Sequence, residues 1–314
     1  NDNRFYPGLI DTVSFIFFKI LSSIIDLKYL VEIKHSINFI YASIGIYGLY
    51  LVNKKIFNKE IAIVSCLLTL INPFFFGHMG INPKDPILFT FLIWTIFYFI
   101  KYLENINLKR FKYLILLSVF IGLGSNTRIT FLSLLFPLIL FGIYYVWINT
   151  KSLRIIFADL FTVSLISFLL IIIIWPHFHN GDYGLILENI KQSSQWLISV
   201  KHGIINGNFY EVQNTPRSYL FQVLLTRMPI FIIVLFFLSY FIVFAKINYY
   251  KINIDKNIIS KFALLNIIFY WPIFILFVSK INLYDNLRLV LFLIPILSTI
   301  ASFGLWYLVK NYAL

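Results

Sequence analysis

The chain has 314 residues, of which 60% are hydrophobic, 19% aromatic and only 12% charged, with a mean hydropathy of +0.85. A soluble domain carries about 25% charged residues, so this composition excludes an ordinary soluble fold and predicts an all-α polytopic membrane protein. The formal net charge of +13 does not mark a nucleic-acid surface, because the lysines gather in short loops between apolar segments rather than on one continuous face.

The chain begins with Asn1 and shows no signal peptide; it is expected to be a fragment lacking a first membrane helix. The sole cysteine, Cys66, lies within an apolar run and leaves no disulfide framework. Over residues 9–35 apolar side chains recur on one helical face, but Asp11, Lys19, Asp26, Lys28, Glu32 and Lys34 interrupt them. That charge load argues against spanning and predicts amphipathic helices lying in the interface. Apolar segments follow at 37–52, 61–76, 87–103, 111–123, 129–148, 155–175, 220–245, 262–278 and 289–309. Each is expected to be a transmembrane helix, which makes a bundle of about nine, although a span needs about 20 residues and 111–123 is short. The expected organisation is a single transmembrane domain over 1–314, with an external loop at 1–35, helices at 36–175, an external loop at 176–218 and helices at 219–314.

Orientation follows from the loops. Lys54, Lys55 and Lys59 share one; Lys101, Lys109, Arg110 and Lys112 another; Lys151 with Arg154, then Lys246 to Lys261, then Lys310 occupy the next alternate connections. Counted through the helices these fall on one side, which is cytoplasmic by the positive-inside rule. The other side receives residues 78–86, 125–128, 176–218 and 280–288, and with them Lys84, Asp85, Arg128, Asp182, Arg217, Asp285 and Arg288. Charges at the mouths of membrane helices are costly unless paired, hydrated or functional.

In residues 78–86, His78, Asn82, Lys84 and Asp85 lie between two glycines and two prolines. One reading is a helix stop and start, with Asp85 as N-cap ahead of Pro86; the other is a carboxylate within reach of a substrate hydroxyl or a metal. Gly122 to Arg128 forms a small-residue turn ending in an arginine at the head of a helix. Arg128 either snorkels to the interface or binds phosphate, aided by the helix N-terminus. Tyr284, Asp285 and Arg288 precede the last segment, where Asp285 and Arg288 either form a local surface pair or present a guanidinium to phosphate oxygens. The long loop at 176–218 holds His177 and His179, whose spacing alone is a weak metal signal. Trp196, Tyr210 and Tyr219 in and beside it suit either sugar stacking or interfacial anchoring.

His78, the Asn82-Pro83-Lys84-Asp85 run, the Gly-x-Gly turn before Arg128, and Tyr284-Asp285-x-x-Arg288 with Phe292 and Pro295 resemble a bacterial branch of the dolichyl-phosphate-mannose–protein mannosyltransferase-like (PMT-type) family. Lys34-His35 and Trp175-Pro176 fit that branch too. The resemblance implies a GT-C fold and a glycosyltransferase, of hexosyl or mannosyl type, that uses a polyprenyl-phosphate sugar donor and inverts the anomeric centre. It also implies a catalytic aspartate in the first external loop, a place occupied here by Asp2. The family often has an Asp-Glu pair there and this chain has Asp2-Asn3; after Arg288 the branch commonly has His where this chain has Leu289.

On this basis Asp2 and Asp85 are the expected catalytic carboxylates, and Arg128, Arg288 and Lys84 the donor-phosphate ligands. His78, Asn82, Tyr284, Asp285 and Trp196 are expected to contact acceptor or sugar. A divalent metal is left open. The expected partners are the membrane, a lipid-linked donor and a protein, lipid or glycan acceptor, at a site on the periplasmic face of the inner membrane. The alternative is a transporter or flippase for an anionic lipid or solute, against which stand the one-sided charges and the lack of an internal repeat. A membrane scaffold without a site is a third reading.

Overall fold

The structure, a computed structural model, describes residues 8–21, 26–106, 109–181, 184, 187–188, 202–205, 207–245, 256–279, 283 and 285–312. It is helical almost throughout, and all nine expected apolar segments fall on helix. The helices are α1 (Leu9–Leu21), α2 (Leu30–Ile56), α3 (Lys59–Ile71), α4 (Pro73–Ile81), α5 (Asp85–Glu104), α6 (Arg110–Ser125), α7 (Phe131–Leu134), α8 (Phe136–Thr150) and α9 (Leu153–Ile174). An antiparallel hairpin follows, β1 (His202–Ile205) with β2 (Asn208–Glu211), in register His202 opposite Glu211. The chain then continues through α10 (Tyr219–Arg227), α11 (Ile230–Ala245), α12 (Lys256–Ser279) and α13 (Leu293–Tyr312).

By length and composition, α5, α9 and α13 are the described helices able to cross a membrane alone; two bent pairs would raise these three to five. The expected segments are therefore shorter or more broken than the hydropathy suggests. The 61–76 segment splits at Asn72-Pro73 into α3 and α4, bent by 75°, and the 220–245 segment splits at Met228-Pro229 into α10 and α11, bent by 112°. Proline lacks the N–H and clashes with the preceding turn, so each break follows from its own residues. The expected border at 35/36 lies inside α2, which runs unbroken from Leu30.

The chain divides into two compact units, residues 1–45 with 79–193, and residues 46–78 with 194–314. In the first, α5 is apolar on every side and buries Ile87, Leu88, Phe89, Leu92, Ile93 and Ile96, as a helix at the centre of a bundle must. Packed on it are α6 and α8, with α9 outside α6. On α9 Ile156, Asp159, Ser167 and Ile171 face inward, while Phe157, Phe161, Leu165 and Phe168 form an exposed stripe at helical spacing suited to lipid. In the second unit α13 packs on α3, α11 and α12. A Cβ on Gly304 would meet the Leu235 carbonyl at 2.6 Å, and Ser239 Oγ donates to the Ile300 carbonyl at 2.6 Å. Small residues that let backbones approach, with hydroxyls bridging them, are how helices associate without a hydrophobic drive. Buried Asn53 adds a further tie, its Nδ2 donating to Ser65 Oγ at 2.6 Å and Thr299 Oγ1 at 2.9 Å.

Candidate functional site

In the first unit two polar clusters cap the two ends of α5. Asp85 and Tyr102 are separated by about 26 Å along the axis at 1.5 Å per residue, close to the ~30 Å of a hydrocarbon core. The clusters therefore stand at opposite interfaces.

At the N-terminal end Asn82, buried at 3% exposure, organises the turn. Its Oδ1 accepts from the backbone N–H groups of Lys84 (3.0 Å) and Asp85 (3.1 Å), and its Nδ2 donates to Asp85 Oδ2 at 2.8 Å. Lys84 is the residue at the N-cap and makes no side-chain cap bond. The expectation that Asp85 caps α5 is corrected: Asn82 satisfies the orphan donors, which leaves the carboxylate of Asp85 for another partner. That partner is Arg128, whose Nη2 lies 3.0 Å from Asp85 Oδ1. Asp85 is 2% exposed and the Arg128 side chain 28%, so the carboxylate anchors the guanidinium from inside. One contact occupies a small part of a five-donor fork.

The turn that delivers Arg128 is locked. Arg128 N–H donates to the Gly124 carbonyl at 3.1 Å, and Asn126 Nδ2 donates to the carbonyls of Gly122 (3.0 Å) and Leu170 (3.1 Å), tying the end of α6 to α9. At Gly124 a Cβ would stand 2.6 Å from the Phe131 ring, so any larger residue would have to displace that ring. The helix that follows Arg128, α7, has four residues and adds little dipole to whatever the guanidinium binds. On the far side of the turn, Asn38 Nδ2 donates to the Gly80 carbonyl at 3.0 Å and holds α2 against the end of α4.

At the C-terminal end of α5, Tyr102 donates to Asp159 Oδ2 at 2.6 Å, and Arg110 Nε lies 3.2 Å from Asp159 Oδ1. Sequence reading missed this cluster. Its signal was a single aspartate inside the apolar run 155–175, which is costly unless paired.

The second unit holds Asp285 and Arg288. Asp285 (φ 59°) and Asn286 (φ 56°) are left-handed, and Arg288 Nη1 lies 2.8 Å from Asp285 Oδ2 with both side chains about 40% exposed, at 40% and 44%. This matches the local surface pair weighed as one reading. The segment is pinned from below: Asn286 N–H donates to Tyr219 Oη at 3.0 Å, Arg227 Nε to Asn286 Oδ1 at 3.2 Å, and the Leu283 carbonyl accepts from Tyr210 (3.3 Å) and Thr215 (3.1 Å). Burial, together with a hydrogen bond to Tyr219, raises the Tyr210 phenol above its ordinary value of 10.0. Arg227 was also missed, though an arginine followed by Met-Pro within an expected span was the mark of both the break and the contact.

The structure thus brings Asn82, Lys84, Asp85 and Arg128 together in one unit, and Asp285 with Arg288 in the other. His78 packs its ring on Phe74 at 4.6 Å within α4. Asp2, Trp196 and Tyr284 lie outside the described residues, as does the side chain of His177. His179 Nε2 lies 3.1 Å from the carbonyls of both Ile172 and Ile173, so its ring caps the end of α9. Among the described residues no group of three His, Cys, Asp or Glu converges as a metal site, and Asp85, facing a guanidinium, does not fit a cation.

Residues 35–177 match the family model of dolichyl-phosphate-mannose-protein mannosyltransferase. The chain is also similar in fold to ArnT from Cupriavidus metallidurans, solved bound to undecaprenyl phosphate, at a TM-score of 0.57 and 14% identity. The match covers 95% of this chain and 49% of ArnT, so the chain spans about half the length of that protein. No curated protein sequence matches it.

Proposed function

From a PMT-type GT-C fold, we propose that this protein is a membrane glycosyltransferase, taking a hexose of mannosyl type from a polyprenyl-phosphate donor and passing it to an acceptor hydroxyl. The observation that carries this is the Arg128 guanidinium, held at a membrane-helix mouth by buried Asp85 within the segment matched to the family. The lipid phosphate that ArnT binds is the chemistry such a group recognises.

In the proposed reaction the acceptor oxygen attacks the anomeric carbon from the side opposite the phosphate. The bond from that carbon to the phosphate oxygen breaks, its electron pair leaves with the polyprenyl phosphate, and the acceptor proton passes to a carboxylate. Asp2 takes that role as general base. Negative charge grows on the leaving phosphate, where Arg128 stabilises it, with Lys84 beside it in the same turn. Asp85 becomes a positioning residue for Arg128 rather than a base or cation ligand. In this reading the site faces the periplasm from the inner membrane, which the lysine-rich alternate loops support through the positive-inside rule.

The test is release and transfer of labelled sugar from a panel of polyprenyl-phosphate sugars, using membranes containing the intact protein. Transfer by the wild type that is lost in Asp2→Asn and Arg128→Ala at equal protein level supports the reading. Donor flipping across vesicles without transfer contradicts it and favours the transporter.

A further inference from the structure

The first unit contains a second feature that the proposed reaction does not use. Between α5, α6, α8 and α9 runs a narrow apolar cleft, open to the surface, with a cavity volume of about 80 Å³. Phe99 and Leu117 form its floor, and Ile139, Ile143, Leu160 and Val163 its partly exposed rim. Its lining runs along α8 from Leu135 to Val146, about 16 Å at the rise of a helix, the length of a dozen or so methylenes of an extended chain lying in the groove. At one end stand Tyr102 and Asp159, with Arg110 paired to Asp159.

Around that polar end basic residues outnumber acidic ones. Lys101, Lys109, Arg110 and Lys112 cluster there, against Glu104 and the already paired Asp159. Lys109 and Lys112 are exposed. Arg110 lies over the Phe111 ring at 4.9 Å, the arrangement of an aromatic belt at headgroup level. This is the interface opposite Asp85 and Arg128, at the far end of α5. A groove shaped for one chain, opening beneath a basic cluster at an interface, is complementary to a lipid with an apolar tail and an anionic head.

We infer that this cleft is a binding site for an anionic glycerophospholipid of the cytoplasmic leaflet, with one acyl chain between α6, α8 and α9 and its phosphate at Lys109, Arg110 and Lys112. Asp159 keeps Arg110 at the mouth. The site is separate from the donor site proposed above and does not depend on it.

The intact protein, purified in mild detergent, would be titrated with phosphatidylglycerol and with phosphatidylcholine and read by native mass spectrometry. Wild type should retain one phosphatidylglycerol with a preference of roughly tenfold or more, given the attraction of two or three basic side chains for an anionic surface. Lys109→Glu with Lys112→Glu, both exposed and so compatible with folding, should abolish the preference. Val163→Trp, which fills the rim, should remove the retained lipid while the protein stays monodisperse. Equal retention of the two lipids by wild type, or an unchanged preference in the double variant, would overturn the inference. Retention of a polyprenyl phosphate in place of phosphatidylglycerol would overturn it as well and move the donor lipid to this face.

Discussion

At the scale of single residues, the account turns on what each side chain holds in place. Arg128→Ala removes the guanidinium from a buried carboxylate, and breaking a pair of this kind costs about 3 kcal/mol, the lower end for buried pairs because Arg128 is partly exposed. Asp85→Asn should cost less, since it removes the charge along with the partner. The double variant should cost less than the sum, which thermal unfolding in detergent will show as non-additivity. Asn82→Ala removes the one oxygen that accepts from the N–H groups of Lys84 and Asp85 at the start of α5 and should cost about 1 kcal/mol. It should also lower transfer by loosening Asp85. Tyr210 supplies a pH test. Its folded value lies above 10.0, so the folded state keeps a proton that the unfolded chain gives up at alkaline pH. Its contribution is fully present below pH 10.0 and fades as pH rises through the elevated folded value. Unfolding followed between pH 9 and 11 should show a decline that is flatter in Tyr210→Phe.

At the scale of elements, close approach decides. Gly304 lies against the Leu235 carbonyl, so Gly304→Leu should force α11 from α13 and cost about 3 kcal/mol, the upper end of overpacking. Gly124→Val should displace Phe131 and with it Arg128, so transfer should fall further than stability. The sequence made the helical segments legible because twenty or so apolar residues have few other solutions in a bilayer. It made Lys84, Asp85, Arg128, Asp285 and Arg288 legible because they stand outside the lysine-rich alternate loops. It did not make the breaks legible, since hydropathy averages over Asn72-Pro73 and Met228-Pro229. The Asp85–Arg128 pair was also hidden: both residues stood out, but 43 positions of sequence separate them, and only the antiparallel return of α6 beside α5 joins them. The cap was misassigned because Asp85 ahead of Pro86 fits a local rule that Asn82, three residues earlier, satisfies instead.

At the scale of the whole molecule, one axis organises the first unit: a basic interface at Lys109, Arg110 and Lys112, and an opposite interface at Asp85 and Arg128. A cysteine introduced at Lys112 in a Cys66→Ser background should react with an impermeant thiol reagent only from the cytoplasmic side, and one at Lys84 only from the other. Labelling of both from one side would remove the orientation. The central claim is that Arg128 meets the departing phosphate, and the most direct measurement of it is the rate of sugar transfer from a polyprenyl-phosphate donor by wild type, Arg128→Lys and Arg128→Ala. The account predicts a loss of about 10²- to 10³-fold in kcat for Arg128→Ala, the effect of removing one preorganised charge-stabilising donor, with partial recovery in Arg128→Lys. Unchanged turnover in Arg128→Ala, with the protein folded and present at wild-type level, would contradict it.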